Sequence, residues 1–187
     1  DIFGTLAAGA LALDAQDRLL QYGDFTYTYT AAGELASKTD TATGEVTDYT
    51  YDEFGNLERV VLPDGRVVRY PTDPNQRRIG RVVEDAQGNV TDERYWVYKD
   101  GLNPVAELDG QGNVTARFVY ASKAHVPDYI VKGGTTYRLV TDHLGSVRLV
   151  VDTSTGDVVQ RLDDDAFGNV LQDTNPGFQP FGYAGGL

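Results

Sequence analysis

The feature that most constrains this fold is a glycine turn signal that recurs along the chain. The spacing is about eleven residues, or about twice that value where one signal is missing. The positions are Gly33, Gly44, Gly55, Gly65, Gly88, Gly112, Gly133, Gly145, Gly156 and Gly168. Turns every ~8–12 residues are typical of consecutive short antiparallel strands. The sequence therefore predicts a series of β-hairpins.

The segments between these glycines have the period and composition of strands. Residues 25–30, FTYTYT, place an aromatic side chain at every second position and threonine between them. Such alternation puts the two residue types on opposite faces of a strand and cannot form a helical stripe. The one helix candidate, LALDAQDRLL (11–20), is interpreted as a degenerate copy of the same repeat. We therefore predict an all-β fold, a long twisted antiparallel sheet of consecutive β-hairpins.

A repeat unit D-x-x-G-x-[L/V], often preceded by tyrosine, accompanies the glycines. Clear copies are YDEFGNL (51–57), EDAQGNV (84–90), LDGQGNV (108–114), TDHLGSV (141–147) and DDAFGNV (164–170). Weaker copies are LDAQDRL (13–19), YTAAGEL (29–35) and TDPNQRR (72–78), in which Asp17, Thr30 and Gln76 replace the consensus residue. These departures are expected to weaken single turns only, because neighbouring units of a repeat array support one another.

The copy at residues 51–57 illustrates the role predicted for each position. Asp52 accepts backbone N–H bonds and fixes the turn, and Gly55 supplies the positive φ that reverses the chain. Tyr51 ends the incoming strand and stacks on its counterpart in the next repeat. The same turn and stacking roles are assigned to Gly88, Gly112, Asp142, Gly145, Asp165 and Gly168. The most repeated carboxylates are thus predicted to be structural.

Composition and charge exclude several classes of function. The 187-residue chain has 28 acidic and 16 basic residues, a formal net charge of −12, and no visible cluster of Lys and Arg. Binding to nucleic acid or to an anionic membrane is therefore disfavoured. The chain has no cysteine, which excludes disulfides and Cys-ligated zinc. The apolar run LAAGALAL (6–13) is too short for a membrane span, and the lack of methionine predicts an excised or processed segment.

With this repeat established, the chain resembles the YD-repeat, or Rhs-repeat, family over essentially its whole length. Residues 93–187 are similar to the Rhs repeat-associated core, with DHLGSVRLVVD (142–152) and PFGYAGGL (180–187) as the most specific matches. The resemblance implies YD-repeat hairpins over residues 1–92 and the Rhs core over residues 93–187, continuous with the same sheet. It also implies that the sheet spirals as a segment of a β-cocoon.

The resemblance further implies a function. In such proteins the shell encloses a C-terminal toxin, so we expect a structural, non-enzymatic shell segment of an exported bacterial polymorphic-toxin protein, secreted or at the cell surface. An aspartyl autoprotease motif is expected beyond Leu187. The implied partners are flanking YD repeats and the C-terminal toxin or other cargo. Open strand edges predict self-association, or capping of the sheet ends by Pro71, Pro74 and Pro176.

Three groups of residues invite a chemical role, but none has the pattern that such a role requires. The stretch LDDDAFGN (162–169) lacks the alternating acidic spacing of a calcium loop. His125 and His143 have no metal-ligand spacing, and DTST (152–155) lacks the glycine of an aspartic-protease loop. No catalytic residue, metal ligand or cofactor is predicted. A glycosidase-like carboxylate pair stays open, because the separation of the two groups in space decides it.

An alternative function from a different class is a cell-surface module that binds carbohydrate or a partner protein. Tyr95, Trp96 and Tyr98 could line a platform for a sugar ring, since aromatic faces bind sugars. The positions of the tyrosines follow the strand period, which favours a tyrosine ladder inside the sheet. The two interpretations differ at Trp96, because only a binding module requires its ring to be exposed.

Overall fold

The computed structural model describes residues 11–187, and they form an all-β chain of sixteen strands. The strands are β1 (Leu11–Leu13), β2 (Leu19–Tyr22), β3 (Phe25–Tyr29), β4 (Leu35–Asp40), β5 (Val46–Tyr51), β6 (Leu57–Val61), β7 (Val67–Arg69), β8 (Gly80–Glu84), β9 (Val90–Tyr98), β10 (Pro104–Asp109), β11 (Val114–Val119), β12 (Tyr129–Lys132), β13 (Thr135–Thr141), β14 (Val147–Asp152), β15 (Val158–Asp164) and β16 (Val170–Asp173). A 3₁₀ turn, Tyr183–Gly185, follows them. Residues 6–10 of the early apolar run lie outside the described residues.

The strands are arranged in the sheet in chain order, from β1 to β16. The strand pairs from β1–β2 to β7–β8, and from β9–β10 to β15–β16, are antiparallel. The predicted all-β antiparallel sheet of consecutive hairpins is confirmed. No helix within residues 11–187 combines the length and apolar character needed to cross a bilayer.

The chain divides into two compact units, Asp1–Glu93 and Arg94–Leu187, with the boundary inside β9. The assignment of residues 1–92 to YD-repeat hairpins and of residues 93–187 to the Rhs core remains a prediction.

The segment that had been the one helix candidate forms β1, a turn and the start of β2. Asp14 N donates to Arg18 O at 3.0 Å, and Asp17 N donates to Asp14 O at 3.1 Å. Asp17 takes the glycine position of the repeat with a φ of 60°. The interpretation of this segment as a degenerate repeat is therefore right.

The turns formed by the D-x-x-G copies are three-residue loops closed by a bulge. Between β5 and β6, Asp52 N donates to Asn56 O at 2.9 Å and Gly55 N donates to Asp52 O at 3.1 Å. The strand register shifts between Thr50 and Tyr51, beside this turn. A type I turn followed by a glycine in the left-handed region has this pattern. It bends the chain back while keeping the apolar side chains on one face.

The first unit has a small core made of one row of valines. Val60, Val68 and Val83 are direct cross-strand neighbours on β6, β7 and β8, and all three are buried. Tyr49 lies opposite Val60, and Tyr70 follows Val68 on the same face. Each of these strands contains two adjacent valines, and because successive side chains point to opposite faces, one valine of each pair lies on this packed face.

Two of the prolines expected to cap the sheet lie elsewhere. Pro71 and Pro74 are between β7 and β8, in the interior of the strand order, so their proposed capping role is wrong. Pro74 lies in the turn that follows Asp73, where the fixed φ of proline is suited, and Pro71 directly precedes the bridge between Thr72 and Arg78. Pro176 follows β16, in the segment described next.

The second unit has a larger core, covered by the C-terminal segment, which we define as residues 174–187. The buried core residues are Trp96, Ala116, Phe118, Val126, Ile130, Leu139, Val147, Val150, Leu162 and Phe181. The ring of Phe181 packs edge-on against Phe118, with centroids 4.9 Å apart. The ring of Phe178 packs in the same way on Tyr137, at 5.0 Å. The segment thus completes the core of this unit.

Hydrogen bonds fix the C-terminal segment to the strands. Lys132 Nζ donates to Phe178 O at 2.5 Å, and Arg94 Nη1 donates to Gly177 O at 3.0 Å. Near the end, Ala184 N donates to Ser146 Oγ at 2.9 Å. These bonds satisfy backbone groups that have no strand partner, so a segment without regular structure can lie on a buried face.

Candidate functional site

The carboxylate of the repeat accepts its hydrogen bonds from the turn that carries it. Asp52 Oδ1 accepts the N–H groups of Phe54 and Asn56, both at 2.9 Å. Asp52 Oδ2 accepts the side-chain amide of Asn56 at 2.8 Å. Both oxygens therefore have partners within their own turn, and the geometry leaves this group a structural role.

The asparagine four residues after the aspartate belongs to the motif and was missed by sequence reasoning. Asp85, Asp109 and Asp165 bind Asn89, Asn113 and Asn169 in the same way. The signal was visible, since each of these turns contains the dipeptide Gly-Asn. In two turns arginine takes its place, giving the ion pairs Asp14–Arg18 and Asp73–Arg77. Those two turns are also the ones with Asp17 and Gln76 in the glycine position, at φ 60° and 63°.

These hydrogen bonds stabilise the ionised carboxylates. Donation from the Asn56 side chain, then from its backbone N–H, holds the pKa of Asp52 below its ordinary value. The pKa of Asp165 is lowered by the same two contacts from Asn169. A general acid or base at neutral pH needs a pKa near that pH. The pKa values of these turn aspartates are shifted downward, away from the neutral range that such a catalytic group needs.

Asp142 differs from the other turn aspartates in pairing with a residue of the strand that follows its turn. Burial acts to raise its pKa, but donation from Arg148 and from the backbone of Ser146 and Leu144 outweighs it, and the net shift is downward. Arg148 Nη2 lies 2.8 Å from Asp142 Oδ2. This turn is therefore tied to the strand that follows it by an ion pair.

The glycines assigned to the turns all have positive φ. The values are 83° for Gly55, 85° for Gly88, 82° for Gly112, 94° for Gly145 and 84° for Gly168. Gly168 has a second constraint, because a Cβ there would lie 2.9 Å from Cγ of Tyr183. A side chain at this position would therefore disturb the C-terminal segment as well as the turn.

Tyr51 is half-buried at the end of β5, opposite Leu57. Burial raises its pKa, and the nearby charge of Glu34 adds to the rise. The pKa of Tyr49 is raised by burial and then by the proximity of three tyrosines, Tyr51, Tyr27 and Tyr70. Tyrosines of successive hairpins thus lie near one another, and the stacking role of Tyr51 stays a prediction.

A second class of turn, D-T-x-T-G, was not recognised in the sequence. In the loop after β14, Gly156 N donates to Asp152 O at 2.9 Å, and Thr153 Oγ1 donates to Thr136 O at 2.8 Å. The loop after β4 repeats this pattern, with Thr41 Oγ1 donating to Asp24 O at 2.8 Å. The threonine links its turn to the turn-proximal end of the preceding hairpin. The DTST stretch is such a turn.

The other candidate groups are dispersed. In the acidic stretch, Asp163 pairs with Arg161 at 2.9 Å and Asp164 pairs with Arg148 at 3.2 Å, while Asp165 closes its turn. Across residues 11–187, no group of three or more His, Asp or Glu side chains has the arrangement of a metal site. The assigned turn residues are likewise spread over separate hairpins and do not converge.

Trp96 does not present its ring to solvent. It is 7% exposed and packs in the core of the second unit, so the platform considered for a sugar ring does not form at this residue. Strand alternation explains the difference. Trp96 lies opposite Glu107 on the covered face, and its neighbour Val97 lies on the exposed one.

Comparison with known proteins agrees with this repeat architecture. The family model described as Teneurin YD-shell matches residues 5–187. Mouse Teneurin-4 is 27% identical over 183 residues, which is 95% of this chain and 6% of that protein. The tRNA3(Ser)-specific nuclease WapA of Bacillus spizizenii is 26% identical over 161 residues, 86% of this chain and 6% of that protein. The chain thus spans a small fraction of the curated relatives it matches.

Among solved structures, the crystal structure of TcdB2-TccC3 without its hypervariable C-terminal region is similar with a TM-score of 0.45 and 13% identity. The similarity covers 94% of this chain and 11% of that chain. The family model extends over nearly every residue of the chain. The chain therefore belongs to the Teneurin YD-shell family, as its likeness to YD-repeat proteins predicted.

Proposed function

We propose that this chain is a wall segment of a YD-shell that encloses a C-terminal toxin or other cargo within a longer, exported bacterial protein. The observation that carries the proposal is that the carboxylate oxygens of the repeated aspartates accept hydrogen bonds within their own turns. The motif that repeats along the chain therefore serves to form the β-sheet. A sheet of consecutive antiparallel strands leaves no unpaired backbone between neighbours, which is what a closed wall requires.

The relatives support an activity that resides outside this segment. WapA is named as a nuclease, and the matching region is only 6% of its length. By analogy, this chain forms part of the shell wall and contributes no catalytic group. The aspartyl autoprotease motif that the YD-repeat resemblance implies would follow Leu187. Export of the parent protein, to the medium or the cell surface, is part of the same proposal.

The test is protease protection of the cargo in the parent protein. We expect the cargo region to be digested by trypsin at least about tenfold more slowly than the same region expressed alone. Ile130→Asp, which places a charge in the fully buried core, is expected to remove this protection. Val140→Asp, on the exposed side of β13, is the matched control and should leave it intact.

Two outcomes would contradict the shell function. One is a cargo region digested in the parent protein as fast as when it is free. The other is full protection in the Ile130→Asp protein, provided that circular dichroism shows loss of sheet. In both cases the wall would not be what shields the cargo.

The alternative of a surface-binding module has a different structural basis from the one considered in the sequence. Phe54 and Phe167 are 74% and 80% exposed, and both occupy the residue before the turn glycine. Glycan or protein contact by this chain would therefore use the turn tips. Binding lost in Phe54→Ala or Phe167→Ala, with cargo protection unaffected, would favour this function.

The two outermost strands of the described sheet have exposed apolar side chains, as expected of strands that pair with flanking repeats. Leu11 and Leu13 of β1, and Val170 and Leu171 of β16, are exposed. Each of these strands has one neighbour in the described sheet. Exposed apolar edges recruit further strands. We therefore propose that flanking YD repeats pair with both edges, and that the isolated chain associates with further copies of itself.

This association is measurable by size-exclusion chromatography with light scattering. We expect the mean mass of the isolated chain to rise with concentration, and Leu171→Lys to shift it toward the monomer. Phe167→Lys, which adds the same charge at a nearby exposed turn tip, is the control and should not shift it. A strict monomer at every concentration would contradict edge pairing.

A further inference from the structure

A surface cavity of about 380 Å³ lies at one end of the second unit. Three segments form it: the loop of residues 120–128, the turn between β13 and β14, and Ala184 of the C-terminal segment. The three segments are packed firmly together. A Cβ on Gly145 would lie 3.3 Å from Cγ2 of Val126, and one on Gly185 would clash with the same atom. The size suits a small ligand, since such sites are typically ~300–1,000 Å³.

The loop of this cavity is held in shape by a buried carboxylate. Asp128 Oδ2 accepts the N–H groups of Ala121 and Ser122, both at 2.8 Å, and Oδ1 accepts the Ser122 hydroxyl at 2.5 Å. These bonds fix the backbone that leads into Lys123 and His125. Because both oxygens of Asp128 are engaged, this group does not compete for the donors that line the cavity.

The acidic residue in the cavity wall is also engaged. Asp142 Oδ1 accepts the N–H groups of Leu144 and Ser146, at 2.9 and 3.0 Å. Its Oδ2 accepts Nε and Nη2 of Arg148, at 3.0 and 2.8 Å. Arg148 offsets part of this negative charge, since it also pairs with Asp164, and no lone pair of the Asp142 carboxylate is left for a cation. A metal site on this aspartate is therefore disfavoured.

The groups left available at the cavity are donors. Lys123 Nζ donates to the neutral Thr141 hydroxyl at 2.7 Å, which uses one of its three N–H bonds. His125 and His143, the only histidines of the chain, both line the cavity. Neither imidazole has a hydrogen bond or ion pair to residues 11–187. A lysine ammonium and two imidazoles that can donate N–H bonds line the same cavity, and such donors suit an oxyanion, because charge-assisted bonds to carboxylate or phosphate are short and strong.

We propose that this cavity is a binding site for a small oxyanion, a carboxylate or phosphate group, held by Lys123, His125 and His143. Nothing in the shell function requires such a site, and the turn chemistry of the repeat does not explain it. TDHLGSV departs from the Gly-Asn form of the turn and carries a histidine after the aspartate, where the other clear copies have Glu, Ala or Gly.

Binding is expected to strengthen at lower pH. Histidine is the side chain that gains charge between about pH 8 and pH 5. The other titratable groups around the cavity are Lys123 and Asp128 on the loop, Asp142 and Asp164 with their shared partner Arg148 on the turn side, and Tyr183 on the C-terminal segment. Protonation of a histidine in this cavity would add positive charge where the anion lies.

The presence of only two histidines makes the test direct. Their ring C–H signals are followed by NMR as inorganic phosphate is added to the 187-residue chain, with potassium chloride at equal ionic strength as the blank. We expect both histidines to shift along one saturable curve. The pH dependence is measured with acetate, whose charge stays constant between pH 6.0 and pH 7.5, and a carboxylate site is expected to bind it at least about threefold tighter at pH 6.0. A parallel titration with acetate separates a phosphate site from a carboxylate site.

Variants assign the shifts to the cavity. Lys123→Gln is expected to weaken phosphate binding at least about fivefold, and Lys38→Gln, which removes the same charge from the first unit, should leave it unchanged. Four results would overturn the proposal: shifts that grow linearly without saturation, a response of one histidine alone, equal binding by the Lys123→Gln protein, and saturable shifts with Zn²⁺ but with neither anion. An unchanged thermal melting curve for Lys123→Gln shows that the comparison is between folded proteins.

Discussion

Replacing Phe181 by alanine is expected to lower the free energy of unfolding of the second unit by about 3–5 kcal/mol, the range for removing a buried phenylalanine. Phe181 is 2% exposed, and its ring packs edge-on against Phe118 at 4.9 Å. The loss of unfolding free energy is expected to exceed the contribution of the Phe181–Phe118 contact alone. The C-terminal segment has no strand pairing of its own, so Phe181 is its main apolar attachment to the sheet.

Tryptophan fluorescence during urea denaturation measures this effect. Trp96 is the only tryptophan of the chain and belongs to the same core as Phe181, so its emission reports the unfolding of this unit. Phe167→Ala is the matched control, because it removes the same side chain from an exposed turn tip. Its effect is expected to stay within about 0.5 kcal/mol. Equal destabilisation by the two variants would show that the C-terminal segment does not contribute to this core.

The fold could be read from the sequence because its determinants are local. The φ of 83° at Gly55 and the hydrogen bonds of Asp52 are made within a single turn, and residues four apart in the chain are enough to specify them. Strand alternation adds the packed face. Even the copy with Gln76 in the glycine position forms the same turn, since Arg77 pairs with Asp73 there at 2.5 Å.

Features that depend on distant residues could not be read in this way. The burial of Trp96 follows from the return of residues 174–187 over the sheet, and no local pattern in PFGYAGGL predicts which face it covers. The cavity with His125 and His143 also needs three segments to meet. The two histidines are 18 positions apart in the sequence. This spacing alone does not predict a shared cavity, because the cavity forms only where the β11–β12 loop lies beside the β13–β14 turn.

The loop between β11 and β12 depends on one buried carboxylate in a similar way. Asp128 is 2% exposed and binds only donors of its own loop. Donation by the Ser122 side chain, and then by the backbone of Ser122 and Ala121, lowers the pKa of Asp128 from 3.8 to about 2. Because the pKa is lower in the folded state, this group stabilises the fold above about pH 4, and the stabilisation is lost as the pH falls through about 2.

Asp128→Asn is therefore expected to destabilise the second unit by about 2–4 kcal/mol at pH 7, because an amide cannot accept at both positions and leaves buried N–H groups unpaired. The gap between wild type and variant should narrow as the pH falls from 4 to 2, where the wild-type carboxyl becomes protonated. Asp157→Asn removes the same charge from an exposed side chain and should stay within about 0.5 kcal/mol of wild type. Other aspartates titrate in this range too, but they are shared by all three proteins and cancel in the difference. A gap that stays constant from pH 7 to pH 2 would mean that the ionised form of Asp128 does not hold this loop.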